Sequence, residues 1–271
     1  MCDGALLAER VSTLKLNWKS WPQDAAMPPL SRDSIHLWTL DLTAMDPDNL
    51  GRSVLQQDLD RGSRILDVEK RWLYLGGRHG MRLLLSRYTG LSPASLKFGY
   101  GNRGKPALLN ELNGSELTFN YTLSRDKVLF AVSLDRQLGV DMEVLPRTIN
   151  AELMAKRKLT ASERQSWLGL PSDLSNDSML CCWTRKEAYG KAIGVGVRFM
   201  LEQVGLFDGL DQCFWQTELV GLFERTDPGD MPALLEGVQL GLPFEAVASL
   251  MYEIENCQSD RPKLLAMQLD A

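Results

Sequence analysis

The chain has 271 residues, 44% hydrophobic and 24% charged, with a formal net charge of −5. This is the make-up of an ordinary globular protein with material for one large domain or two of usual size, and the sign of the charge argues against general nucleic-acid binding. No run approaches the ~20 apolar residues of a membrane span, and Met1–Arg10 lacks the basic start and apolar core of a secretory signal, so a cytoplasmic protein is expected.

Residues 1–33 hold Trp18, Trp21, Pro22, Pro28 and Pro29 without periodicity and read as a loosely structured N-terminal extension packed on the body. A first lobe over 34–138 opens with a strand near Ile35–Leu42, in which His36 merely alternates. A helical stretch from about Pro47 to Tyr88 follows, expected to break near Gly76-Gly77; it places Arg78 and Arg82 one turn apart, a pair that in isolation reads as solvated surface and opposite Gly104-Lys105-Pro106 as a phosphate clamp, with His79 in a structural role. Leu117–Ser124 alternates apolar with hydroxyl or amide side chains, so Asn120, Thr122 and Ser124 share the polar face of a strand. Lys127–Leu134 reads as its hairpin partner.

A second lobe spans 139–255, followed by a tail over 256–271. Leu138, Val140, Met142 and Val144 alternate, so a strand there points Asp141 and Glu143 from one face. Thr160 followed by Glu163 is a capping-box pattern that starts a helix, and a polar loop lies at Gly169–Asp177. Leu180, Trp183 and Glu187 then repeat at helical spacing, with Lys191 one turn beyond Glu187 and glycine at 194 to end the helix. Later strands are expected at Phe214–Val220 and Phe244–Tyr252. The five cysteines show neither zinc spacing nor a disulfide framework, and adjacent Cys181 and Cys182 read as packing residues.

Two carboxylates aimed one way need a cation. Asp141, Glu143 and Glu187, with no histidine or cysteine pair nearby, make an all-oxygen donor set that suits Mg²⁺, or Mn²⁺ as an alternative, with phosphate oxygens or water completing the shell. Taken singly, Asp141 and Glu143 fit a solvated edge strand and Glu187 with Lys191 fits an exposed helix pair. Residues 1–138 hold 18 Lys+Arg against 15 Asp+Glu and residues 139–271 hold 12 against 20, so the first half is the more basic and the second the more acidic, as an anionic cofactor lying between two lobes would require.

The wording around these residues is specific. Gly139-Val140-Asp141-Met142-Glu143, then Trp183-Thr184-Arg185-Lys186-Glu187-Ala188-Tyr189-Gly190-Lys191 some forty residues later, resembles the paired signature of the surfactin-type 4′-phosphopantetheinyl transferases. Gly104-Lys105-Pro106 is similar to that family's Gly-Lys-Pro loop, and Phe119-Asn120-Tyr121-Thr122-Leu123-Ser124 to its Phe-Asn-x-Ser-His-Ser segment. The resemblance implies an α+β pseudo-dimer of two similar lobes, each an antiparallel sheet packed with helices, with the site in the cleft. It implies Mg-dependent transfer of the phosphopantetheine arm of coenzyme A to a serine of an acyl- or peptidyl-carrier protein, by a cytoplasmic monomer that uses neither nucleic acid nor membrane.

Carried over by position, Asp141, Glu143 and Glu187 hold the metal, Glu187 also takes the serine proton, and Lys191 meets the leaving phosphate. Arg61, Arg78, Arg103, Lys105, Pro106, Asn120 and Thr122 cradle coenzyme A. The family's Ser-His pair stands here as Thr122-Leu123, which removes an imidazole and, with it, a charge-assisted contact worth about 1.5–3 kcal/mol. That departure keeps open a relative that binds coenzyme A or a carrier without catalysis; the oxygen-rich site alone also suits a metal-dependent nucleotide hydrolase. The cations Lys156-Arg157-Lys158 lie where an acidic carrier helix would dock.

Overall fold

Alternating strand patterns collect into two five-stranded sheets, each covered on its outer face by a long helix. The computed structural model describes residues 13–14, 16–22, 24–45, 54–101, 104–110, 112, 114–194, 217–224, 234–255 and 261–269. In chain order these form β1 (Thr13–Leu14), β2 (Lys19–Trp21), β3 (Ser34–Asp41), α1 (Gln56–Ser63), α2 (Val68–Thr89), β4 (Phe98–Tyr100), β5 (Pro106–Leu108), β6 (Leu117–Ser124), β7 (Lys127–Leu134) and β8 (Leu138–Val144). There follow α3 (Ala151–Lys158), α4 (Ala161–Leu168), α5 (Ser175–Ile193), β9 (Thr217–Glu224), β10 (Leu234–Leu240), β11 (Ala246–Ile254) and β12 (Lys263–Leu269). The class is α+β, as expected from the sequence.

One sheet runs β2-β12-β3-β7-β6 and the other β1-β9-β10-β11-β8, with a small β4-β5 pair beside them. Their inner faces share one core, in which Ile35, Leu37, Leu129 and Ala131 of the first sheet join Val140, Met142, Val238 and Leu250 of the second. Period-two alternation makes this possible, because each strand sends its other residues to a helix. Trp38, Leu40, Phe130 and Val132 cluster with Met81, Leu84 and Leu85 of α2. On the far side, Met179, Leu180, Cys181 and Cys182 of α5 bury against Val247.

The helical stretch divides at residues 64–67 and not at Gly76-Gly77. Asp67 accepts a hydrogen bond from the Lys70 backbone N–H and so starts α2 as its N-cap, and Gly90 ends it at φ 70°. Gly76 and Gly77 stay helical because they serve packing: a methyl group on either would come within 3.3 Å of Leu42 or Leu123. The capping box of Thr160 and Glu163 forms as read, with both reciprocal hydrogen bonds.

Two expectations about the chain's ends give way. Residues 263–269 are no tail but strand β12, parallel to both β3 and β2 and lying between them. Residues 19–21, assigned to an extension, pair with β12, and residues 13–14 pair with β9 in the other sheet. Such pairings span the whole chain and leave no local signature in sequence.

Candidate functional site

The site forms where the two sheets meet at their edges. β8 is an edge strand of the second sheet and β6 of the first, and side chains of β6 take the place of backbone pairing between them. Asn120 Oδ1 accepts from the Val140 N–H at 3.0 Å, and Ser124 Oγ accepts from the Val144 N–H at 3.0 Å. Thr122 Oγ1 donates to Asp141 Oδ1 at 2.9 Å, and Ser124 Oγ donates to Glu143 Oε2 at 3.0 Å. The polar face of β6, expected to meet a ligand, is therefore largely spent on satisfying an otherwise unpaired strand.

Gly139 brings α5 onto β8. A Cβ there would lie 2.2 Å from the Ala188 carbonyl oxygen and 2.4 Å from the Ala192 nitrogen. Only glycine permits this approach of backbone to backbone. It sets Lys191 Nζ 2.7 Å from Asp141 Oδ1 and 3.0 Å from the Val140 carbonyl. α5 then ends at Gly194, whose φ is 75° and whose N–H returns to the Gly190 carbonyl.

Asp141, Glu143 and Glu187 are all buried, with 6%, 8% and 7% of their surface exposed. Burial, and next the charge of Asp141, push the Glu187 carboxyl up to about 7; Lys191 and Lys158 oppose this, and Glu143 adds a smaller push upward. Arg147, four residues past Glu143, forms an ion pair with Glu143 Oε2. Among the described residues no three Asp, Glu, His or Cys side chains meet closely enough to hold an ion by themselves. The three-carboxylate shell expected from the sequence is instead a mixed cluster in which Lys191 sits on Asp141 and Arg147 on Glu143. The donor chemistry suits a hard divalent ion all the same: oxygen ligands only, and carboxylates whose mutual repulsion such a charge would relieve.

Beside this cluster a cavity of about 610 Å³ opens between the helices of the first lobe and α5. Arg61, Tyr74, Arg78, Tyr100, Leu123 and Lys191 are among the residues that line it. Lys105, Pro106, Asn120 and Thr122 also border it, so these four line the same cavity as Arg61 and Arg78; Arg103 lies outside the described residues. Arg78 Nε donates to Asp58 Oδ1 at 2.8 Å. Burial works against the charged Arg78, but Tyr121, Asp58 and Tyr100 outweigh it and raise its pKa above the usual value. The Arg61 guanidinium lies 5.8 Å from the centre of the Tyr74 ring.

Two basic residues differ from expectation. Arg82 is fully buried, donates to the Pro93 carbonyl at 2.9 Å and lies 4.9 Å from the centre of the Phe98 ring, so it does not join Arg78 in a phosphate clamp. Lys105 borders the cavity, yet its ammonium donates to Gln137 Oε1, the Leu138 carbonyl and the Ala192 carbonyl at 3.0–3.1 Å. It ties the β4-β5 loop to the C-terminal end of α5. Leu123, where the sequence departs from its resemblance, puts an apolar wall beside Gly77.

Sequence reasoning missed Asp58, which is buried between Arg78 and Arg82, and Arg147. Asp58 had no local signal, since its partners come from the next helix. For Arg147, a cation four residues beyond an acidic strand residue was the available clue. Lys158 Nζ lies 5.0 Å from the centre of the Trp183 ring, one turn before Glu187.

A family model described as the 4′-phosphopantetheinyl transferase superfamily matches residues 137–225, the stretch holding β8 and α5. The 4′-phosphopantetheinyl transferase HetI of Nostoc sp. is 35% identical over 170 residues, covering 62% of this chain and 72% of that protein. A 4′-phosphopantetheinyl transferase of Bacillus subtilis is 25% identical over 189 residues, 65% of this chain and 81% of its own length. A putative 4′-phosphopantetheinyl transferase of Synechocystis sp. is 30% identical over 148 residues, 55% of this chain and 60% of its own. Among the described residues no helix is long and apolar enough to cross a membrane.

Proposed function

This chain belongs to the 4′-phosphopantetheinyl transferase superfamily, and on that premise we propose that it moves the phosphopantetheine arm of coenzyme A onto a serine of an acyl- or peptidyl-carrier protein. It acts in the manner of the surfactin type, as a cytoplasmic monomer and with Mg²⁺. The observation that carries this reading is a single cavity lined both by Arg61 and Arg78 and by Glu187 and Lys191. An anionic cosubstrate and an acid–base pair thereby share one space.

In the reaction the serine oxygen bonds to the phosphorus that bears the pantetheine arm, and the bond from that phosphorus to the bridging oxygen of 3′,5′-ADP breaks. Glu187, buried and without a hydrogen-bond donor among the described residues, accepts the serine proton. Lys191 is held at the lip by Asp141 and the Val140 carbonyl and stabilises the charge on the departing phosphate. Arg61 and Arg78 bind phosphate oxygens, and Tyr74, Tyr100 and Leu123 shape the wall around the nucleotide. Asp141, Glu143 and Glu187 would hold a Mg²⁺ ion, which when bound neutralises diphosphate charge and aligns the displacement.

Incubating an apo carrier with coenzyme A, Mg²⁺ and this protein, then weighing the carrier intact, tests the proposal. A phosphopantetheinyl adduct is the expected product. An unmodified carrier beside coenzyme A cut without transfer would replace this reading with that of a hydrolase. An unmodified carrier with coenzyme A merely bound would replace it with a binding relative, the reading that Leu123 favours.

A further inference from the structure

The two carboxylates of β8 are held by the same device. Asp141 Oδ1 receives a hydroxyl of β6, Thr122, at 2.9 Å and an ammonium, Lys191, at 2.7 Å. Glu143 Oε2 receives the next hydroxyl along the same face of β6, Ser124, at 3.0 Å, and the Arg147 guanidinium. In each case one hydroxyl and one cation converge on a single oxygen. Among the described residues the other oxygen, Asp141 Oδ2 or Glu143 Oε1, accepts no hydrogen bond, and neither is among the sealed polar atoms that lack a partner.

The frame around Glu143 is itself fixed. Ser124 Oγ accepts the Val144 N–H, so its one hydrogen is directed to the carboxylate. The backbone on either side of Arg147 is held from two directions. Arg125 donates to the Leu145 and Pro146 carbonyls, while Asn176 of α5 donates to the Arg147 carbonyl at 2.9 Å and accepts from the Ile149 N–H at 3.2 Å. Arg147 is half-exposed along its side chain yet returns to Glu143 from a pinned Cα.

We propose that Ser124 and Arg147 are positioning residues for the divalent ion: together they lock one oxygen of Glu143 and thereby offer the second to the metal, as Thr122 and Lys191 do for Asp141. The inference rests on the reading that Asp141, Glu143 and Glu187 bind such an ion. Outer partners that orient a ligating carboxylate act on metal affinity through geometry, and their loss weakens binding by about 10–100-fold. A competing physical effect has the opposite sign, since a cation on Glu143 also lowers its negative potential. The two are separated by the direction of the change.

The test is Mn²⁺ binding to the full chain, followed by the electron paramagnetic resonance signal of the free ion, for wild type, Ser124→Ala, Arg147→Gln and Arg147→Lys. Expected are dissociation constants about 10–100-fold weaker for Ser124→Ala and Arg147→Gln, partial recovery in Arg147→Lys, and an unchanged melting temperature of metal-free Arg147→Gln. Ser124→Ala also deprives the Val144 N–H of its acceptor, so Arg147→Gln decides should the serine variant fold poorly. Affinity unchanged or tightened in Arg147→Gln overturns the inference, tightening meaning that Arg147 competes with the ion. Wild-type chain that binds no Mn²⁺ sinks the metal reading itself, and the inference with it.

Discussion

Replacing Gly139 by alanine tests the feature that assembles the site. The added methyl would sit 2.2 Å from the Ala188 carbonyl oxygen, 2.4 Å from the Ala192 nitrogen and 2.9 Å from the Lys191 carbonyl carbon. All three are backbone atoms of a helix held by its own hydrogen bonds, so no side chain can swing aside; relief requires α5 to withdraw from β8 by about 1 Å to restore ordinary contact. Overpacking of a well-filled interior costs about 1–3 kcal/mol, and a clash with rigid backbone falls at the upper end, about 3 kcal/mol. The same withdrawal stretches the 2.7 Å contact between Lys191 and Asp141 and carries Glu187 outward. A displacement of that size costs about 10²-fold in rate. Urea denaturation reads the first effect and the rate of carrier modification, at saturating coenzyme A, the second. A Gly139→Ala protein within 0.5 kcal/mol of wild type (about the scatter of surface substitutions) and equally active would refute the close-approach argument.

Glu187→Gln keeps the shape of the side chain but cannot accept a proton, and carrier modification is expected to fall about 10²–10⁴-fold with the urea midpoint little changed. Glu163→Ala removes the carboxylate 2.7 Å from fully buried Lys186 together with the Thr160 capping box; a loss of about 3–5 kcal/mol is expected, read from chemical denaturation. His36 is buried, with Nδ1 2.7 Å from the Tyr88 hydroxyl and Nε2 without a partner, and burial lowers its pKa from 6.5 to about 4. Because the unfolded chain takes up this proton first, stability is fully present above pH 6.5 and is lost as the pH falls to 4, by about 3 kcal/mol in all. His36→Leu should remove that part of the pH dependence, and an identical pH profile in the variant would count against it.

What sequence made legible was local. Two-residue alternation sends Asp141 and Glu143 to one face of β8 whatever lies opposite, and the Thr160–Glu163 box closes within four residues. Glu187 and Lys191 share a helix face for the same reason. The misreadings all concern partners distant in the chain. Gly76 and Gly77 looked like a helix break because their neighbours Leu42 and Leu123 lie outside the window that propensity surveys. Arg82 and Arg78 are equivalent in spacing, and only the fold sends one to Phe98 and the other to the cavity. Lys105, expected from the resemblance to meet coenzyme A, finds acceptors on β8 and α5 that no local pattern shows.

The parallel insertion of β12 between β2 and β3 has a consequence for biosynthesis. After β7 has been made and until residues 263–269 follow, β3 has one flank unpaired, and its backbone donors there wait for a strand that is translated more than two hundred residues after β3 itself. The first half of the chain therefore emerges as an incomplete sheet and closes only after release of residues 263–269, so the two halves mature together and neither is a free-standing module.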